Sequence, residues 1–352
     1  MACHISCLCG EAGQEVLLET DTSVLNLCHC VACRAITGQL YSSYYPLRTR
    51  PQSIDCLQEY GQSPGLSRYF CRTCGAHVFG HVKHTDQYLV AVGLIVEPPE
   101  TKTILHWRAE DTRDGGLTSF LAGEAKETTS ACWLEINSND QQSYSAPRKA
   151  KTPDQNSHGL RASCHCGGID FHITSPDSTS TEPSSPWADL LVPYHLRSSA
   201  NPEDVKWWLR DGNSRYLAGA CACRSCRLAS GFPIQTWAFI PRSNIVNANG
   251  SPLVFGEATM LRYESSPEIY REFCGRCGAT VFWHCKERPL VIDVSLGLLQ
   301  ANSGTKAEEL LDWYTERVSF AEMALDQQLI EQLESGLKDW SENRGRCLNN
   351  EQ

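Results

Sequence analysis

The 352 residues suffice for one or two domains, and 41% hydrophobic with 20% charged content excludes a wholly disordered or fibrous chain. Lys plus Arg number 31 against 41 Asp plus Glu; the resulting −10 repels phosphate backbones and anionic lipid, so neither a nucleic-acid nor a membrane partner is expected. No apolar run reaches the roughly 18 residues of a membrane span, and Met1–Cys7 has neither the basic nor the apolar segment of a secretory signal, so a cytoplasmic location is expected.

In chain order, the cysteines come first. Cys7-x-Cys9, Cys28-x-Cys30-x-x-Cys33 and Cys71-x-x-Cys74 are followed by the same three patterns in the same order: Cys164-x-Cys166, Cys221-x-Cys223-x-x-Cys226 and Cys274-x-x-Cys277. Flanking residues repeat too, as in Cys33-Arg34 and Cys226-Arg227, or Val78-Phe79-Gly80-His81 and Val281-Phe282-Trp283-His284. The chain therefore reads as an internal duplication. Cys3, Cys56, Cys132, Cys285 and Cys347 stand outside it, as buried small hydrophobes or free thiols.

Apolar, partly β-branched segments at Tyr88–Leu94, Thr236–Ile240 and Leu290–Leu296 predict strands, and the residues after each triplet predict a helical turn. The stretch from Asn137 to His158 reads as a linker, and Ser175–Pro186 as a solvated loop within the longer second copy. Leu325, Leu329, Leu333, Leu337 and Trp340 predict one long amphipathic helix over Phe320–Trp340, packed against a domain or a partner. The expected architecture is mainly β: a first copy over 3–115, a connecting segment and linker over 116–159, a second copy over 160–320 with an insertion near 175–187, and a C-terminal helix over 321–342.

Without a secretory signal, nineteen cysteines point to metal before disulfides. A Cys-x-x-Cys-Gly turn offers two thiolates, and a closed zinc site needs four. Cys7, Cys9, Cys71 and Cys74 are assigned to one site, and Cys164, Cys166, Cys274 and Cys277 to its twin; an all-thiolate set favours zinc. The triplets Cys28, Cys30, Cys33 and Cys221, Cys223, Cys226 stop at three ligands. That leaves a catalytic zinc with an open position, a structural site completed by a side chain such as His29, or a redox cluster. Up to four zinc ions per chain follow. Arg34 and Arg227 either grip a substrate carboxylate or tune the thiolates, or are simply exposed or salt-bridged. His81 and His284, the matched histidine pair, either complete the triplet sites, assist as acid or base, or serve structure.

The order Cys-x-Cys-Gly, Cys-x-Cys-x-x-Cys-Arg-x-x-(Thr/Ser)-Gly, Arg-x-Phe-Cys-x-x-Cys-Gly resembles the glutathione-dependent formaldehyde-activating enzyme and centromere protein V family, in a tandem arrangement similar to fungal members. The resemblance implies two β-tent-like domains of antiparallel sheets, structural zinc at the four-cysteine sites and catalytic zinc at the triplets. It further implies a carbon–sulfur lyase joining a small thiol such as glutathione to a small aldehyde. The non-enzymatic side of the family leaves open a zinc-stabilised protein-interaction module.

Overall fold

The computed structural model describes residues 1–19, 23–97, 103–121, 124–125, 159–196 and 198–350. The expected linker over 137–158 and Cys132 lie outside the described residues. The architecture is mainly β and built twice. In the first copy, β1 (Ala2–Ile5) pairs with β2 (Gln14–Leu17), and β3 (Val24–Cys28) runs into α1 (Val31–Thr37). The strands β4 (Tyr44–Pro46), β5 (Leu57–Ser63), β6 (Leu66–Cys71), β7 (His77–Val82) and β8 (Gln87–Ala91) form one antiparallel sheet in the order β4-β8-β7-β6-β5. β9 (Thr103–Trp107) returns parallel to β3, and β10 (Glu124–Ala125) parallel to β9, so the sheets are not purely antiparallel.

The second copy repeats this order with two strands added and three longer than their counterparts. β11 (Leu160–Ser163) pairs with β12 (Asp170–Ile173), then follow β13 (Leu209–Arg210), β14 (Arg215–Cys221), α2 (Arg224–Ser230), β15 (Gln235–Pro241) and β16 (Ile245–Val246). β17 (Met260–Ser266), β18 (Ile269–Cys274), β19 (Thr280–Cys285), β20 (Arg288–Ser295) and β21 (Leu311–Trp313) complete it. The added strands are β13 and β16, and the longer ones β14, β15 and β20. Four residue pairs join β14 to β15, fusing the halves of this copy into one eight-stranded sheet. The matching place in the first copy has only the Cys28–Ser42 bridge.

The expected solvated loop at Ser175–Pro186 is exposed at about half of its positions but anchored to the core through the buried Ser180, Pro183 and Ser185. Asp177 caps a 3₁₀ turn over Ser178–Thr181, whose Ser180 is fully buried and bonded to Asn244 at 2.9 Å. The Ser180 carbonyl accepts the indole N–H of the buried Trp208 at 2.9 Å, and the Pro183 carbonyl accepts from Lys206 at 2.8 Å. Polar composition hid this because the Ser hydroxyls serve as internal bonds and caps.

The C-terminal helix α3 (Gln327–Asn350) begins later than periodicity predicts. Phe320 takes a left-handed backbone, φ 52°, and Asp326 receives the Leu329 amide at 3.0 Å as the capping side chain. Leu329, Ile330, Leu333 and Leu337 are buried. The stripe is covered by the chain's own Phe120, whose ring meets Trp313 at 5.0 Å and Trp340 at 5.3 Å. An ideal Cβ on Gly336 would lie 2.0 Å from the Phe120 carbonyl, so only glycine permits this approach. Leu117, Phe120 and Leu121, expected in the connecting segment, are therefore core residues. No described helix is long and apolar enough to cross a membrane.

The copies dock through reciprocal contacts. The Leu8 amide donates to the Leu228 carbonyl at 3.1 Å, and its counterpart, the His165 amide, donates to Ala35 at 3.0 Å. Gly93 donates to the Gly231 carbonyl and Gly297 to that of Gly38, each at 2.9 Å. Such exchange of identical surfaces is the pattern of a two-fold interface, formed here within one chain. It is close-packed: a Cβ on Gly231, φ +90°, would sit 2.3 Å from the His77 carbonyl. Gly231→Ala should therefore cost several kcal/mol, beyond the roughly 1 kcal/mol of left-handed strain expected for Gly212→Ala, φ +64°, where nothing lies within 4 Å. Comparing the two denaturation midpoints checks this.

Candidate metal centres and active sites

Local geometry gathers the cysteines. Each Cys-x-Cys loop lies after the first strand of its copy, β1 or β11, and each Cys-x-x-Cys turn at the end of β6 or β18, so the folded sheets bring the two pairs together. The sulfurs of Cys7, Cys9, Cys71 and Cys74 lie within 4.8 Å of one another, as do those of Cys164, Cys166, Cys274 and Cys277. Cys9 Sγ is 3.4 Å from both Cys7 Sγ and Cys71 Sγ, and Cys164 Sγ is 3.8 Å from Cys274 Sγ. A tetrahedral zinc with bonds of about 2.3 Å requires sulfur–sulfur edges near ~3.8 Å. These separations suit it and are far too long for disulfides; no disulfide links the described cysteines. Backbone amides approach the sulfurs, Ala12 to Cys7 at 3.4 Å and Ile169 to Cys164 at 3.3 Å. The four thiols share their protons: contact with Cys71 and then Cys74 lowers Cys7, and contact with Cys7 first raises Cys71 and Cys74.

The triplets form two further groups, Cys28, Cys30, Cys33 and Cys221, Cys223, Cys226, with no fourth His, Cys or carboxylate among the described residues. The third cysteine of each sits in the first turn of a seven-residue helix whose N-cap is the second cysteine. Cys30 Sγ receives the Cys33 amide at 3.3 Å, and Cys223 Sγ receives the Cys226 amide at 3.2 Å. Cys33 Sγ and Cys28 Sγ are 3.6 Å apart, again near a zinc edge. Contact with Cys28 and then Cys30 holds the Cys33 thiol well below its ordinary range, and Cys221 and then Cys226 do the same for Cys223.

Neither predicted arginine turns to the sulfurs. Arg34 donates to the carbonyls of His29 and Asp111, and Arg227 crosses the interface to the Gly93 carbonyl. The sulfurs meet two other arginines. Arg68 Nη2 lies 3.2 Å from Cys33 Sγ, and Arg271 reaches Cys226 Sγ at 3.6 and 3.7 Å and Ser225 Oγ at 3.2 Å. A signal for them exists in sequence: each is a lone arginine three residues before the Cys-x-x-Cys pair, in Arg68-Tyr69-Phe70-Cys71 and Arg271-Glu272-Phe273-Cys274.

Histidines stay outside the triplets. His81 pairs with Asp86 at 2.8 Å and stacks on Tyr88, while His284 pairs with the buried Glu272 at 3.0 Å. His29 meets the Leu40 carbonyl through Nδ1 at 3.3 Å and His106 Nδ1 through Nε2 at 2.9 Å. Burial lowers His29 to about 3 and His106 to about 4, so both are neutral. By strand register the second copy has Ala222 and Val318 at these places, both buried. An apolar pair thus replaces a bonded polar pair. His106→Val alone should cost about 1–3 kcal/mol by stranding His29. Adding His29→Ala should recover much of that loss, read as coupling in a urea double-mutant cycle, with metal content unchanged.

The walls of the two triplets differ. Trp107 and the partly buried Leu105 cover the first, while Trp237, Trp283 and Phe320 cover the second. Trp283 belongs to a cage, with Trp207 and Phe239, whose rings lie 5.1–5.6 Å from the Arg288 guanidinium, itself paired with Asp293 at 2.5 Å. Trp207 comes from the segment by which the second copy exceeds the first between Cys164 and Cys221.

The glutathione-dependent formaldehyde-activating enzyme family model matches residues 2–111 and 205–317. The chain belongs to this family. Its second matched region begins after Cys164 and Cys166, which folding nevertheless returns to Cys274 and Cys277 as the family's first copy does with Cys7 and Cys9. No curated protein and no solved structure matches the chain.

Proposed function

We propose that this chain catalyses zinc-dependent carbon–sulfur bond chemistry, joining a small thiol, glutathione or a close relative, to formaldehyde or a related small aldehyde, formally a carbon–sulfur lyase reaction. The observation that carries the reading is the division of the thiols into two four-sulfur groups, which satisfy zinc completely, and two three-sulfur groups, which leave one position for a substrate. Cys28, Cys30 and Cys33, with Cys221, Cys223 and Cys226, would hold the catalytic ions. Bound zinc supplies the Lewis acidity that keeps a substrate thiol deprotonated at neutral pH.

The chain's own residues do the rest. Helices α1 and α2 fix the ligand geometry, the Cys33 and Cys226 amides orient the middle sulfur, and Trp107 or Trp237 shields the reacting sulfur from water. Arg34 braces the loop of its own triplet at the His29 carbonyl, and Arg227 ties the helix of the second triplet to Gly93 in the other copy. The different walls support different preferences for the aldehyde or thiol in the two copies. Unpaired thiols at the described cysteines support a reducing compartment, the cytosol. In the interaction-module reading the domains and the C-terminal helix recruit a partner; the helix's apolar stripe is already taken up by the chain's own Phe120, whose ring meets Trp313 and Trp340.

The test is zinc per chain in protein purified without added metal or chelator, followed by NMR detection of the thiol–aldehyde adduct. Near four ions with accelerated adduct exchange supports the reading. Near two ions, or no acceleration, removes it.

A further inference from the structure

Arg68 and Arg271 occupy matched positions on β6 and β18, 0% and 4% exposed. A buried guanidinium needs a counter-charge, because leaving it unpaired in a low-dielectric interior costs several kcal/mol. Among the described residues no carboxylate lies within salt-bridge distance of either one. Arg68 has Gln62 Oε1 at 3.1 Å, the Tyr44 ring at 4.7 Å and Cys33 Sγ at 3.2 Å. Arg271 has Ser225 Oγ and Cys226 Sγ. Asp293, whose carboxylate lies in the field of Arg271, is paired with Arg288. The anionic partners available are the triplet sulfurs.

The placement distinguishes the two kinds of site. No arginine donates to a sulfur of the four-cysteine groups among the described residues, where backbone amides do so. Three thiolates around a divalent cation leave one net negative charge, and one guanidinium cancels it. We propose that Arg68 and Arg271 are charge-compensating positioning residues, which make each metal-loaded triplet neutral and so favour an anionic sulfur ligand in its fourth position. The last part of this inference rests on the lyase reading; the charge pairing does not. Without the arginine, an entering thiolate would join a centre that is already negative and become its second uncompensated charge.

The experiment uses the full chain loaded with cobalt(II), whose thiolate charge-transfer bands report the ligand set, and 2-mercaptoethanol as the probe thiol. Arg68→Met and Arg271→Met, singly and together, are compared with Arg68→Lys and Arg271→Lys. The Met variants should bind metal at the altered triplet about 10- to 100-fold more weakly against a competing chelator, the range for lost outer-shell partners. They should also lose the thiol-induced band, while the two four-cysteine sites stay filled. Lysine should restore most of both. Affinity and thiol response unchanged within twofold in the Met variants would overturn the proposal. If the Met variants do not fold, the Lys variants decide: retained metal and thiol response support charge compensation, and their loss refutes it. Wild-type protein that binds the thiol but adds no aldehyde would sink the lyase reading and leave the charge pairing intact.

Discussion

Cys71→Ser combined with Cys74→Ser should empty the first four-cysteine site and abolish the docked structure of the whole chain, including metal retention at Cys221, Cys223 and Cys226 in the other copy. A structural zinc is worth on the order of 10 kcal/mol to the unit that it closes, comparable to the entire stability of a domain, about 5–15 kcal/mol. The effect crosses copies because the residue between the two ligands of the Cys-x-Cys loop, Leu8, donates its amide to Leu228 in α2, the helix that carries Cys226. The mirror bond runs from His165 to Ala35 in α1. Each four-cysteine site therefore holds the helix on which the opposite triplet is built. Tyr60 reinforces this by pairing with His165 Nδ1 at 2.6 Å. Zinc analysis and near-ultraviolet circular dichroism of the double variant read the outcome. Loss of a single zinc with native circular dichroism would show instead that the copies are independent.

The second large effect concerns activity. Cys33→Ser with Cys226→Ser should reduce thiol–aldehyde addition to the uncatalysed rate while leaving the four-cysteine sites loaded. Serine keeps the size of the side chain, but its hydroxyl stays protonated where cysteine supplies a thiolate. Each substitution also removes the sulfur that pairs with Arg68 or Arg271, leaving a buried guanidinium without its anion. Made singly, the two changes separate the copies: each should silence its own site and leave the other's substrate preference on display. Steady-state rates with several aldehydes, alongside zinc content, measure this. Catalysis undiminished in the double variant would place the chemistry elsewhere.

The same arginines show where reading along the chain stops. Sequence spacing sufficed to group the thiols because a Cys-x-x-Cys turn is a local geometry: two thiols three positions apart already face one point, and repetition of all seven positions made the grouping specific. The β class and the long helix were equally legible, from short apolar runs and from leucines at helical spacing. Arg34 and Arg227 drew attention because they adjoin the triplets. Neighbours on a helix, however, leave in different directions, and both turn to carbonyls. Arg68 reaches Cys33 across 35 positions of sequence through the sheet, and every residue of β6 is buried, so no alternation marks the one that faces the sulfur.

Sequence alone determined, then, what depends on neighbours in the chain: the duplication, the fourteen matched thiols and the helical turn at each triplet. Tertiary structure decided what depends on approach between distant segments. The reciprocal interface combines backbone contacts with side chains such as Arg227, Tyr60 and Gln39 that reach the other copy, and it is admitted by glycines such as Gly231 whose purpose shows only against the His77 carbonyl. The polar Ser175–Pro186 segment is anchored at Ser180 and Pro183 because Trp208, Lys206 and Asn244 arrive to bond it. His29 is a core residue because His106, 77 positions away, completes its hydrogen bonding.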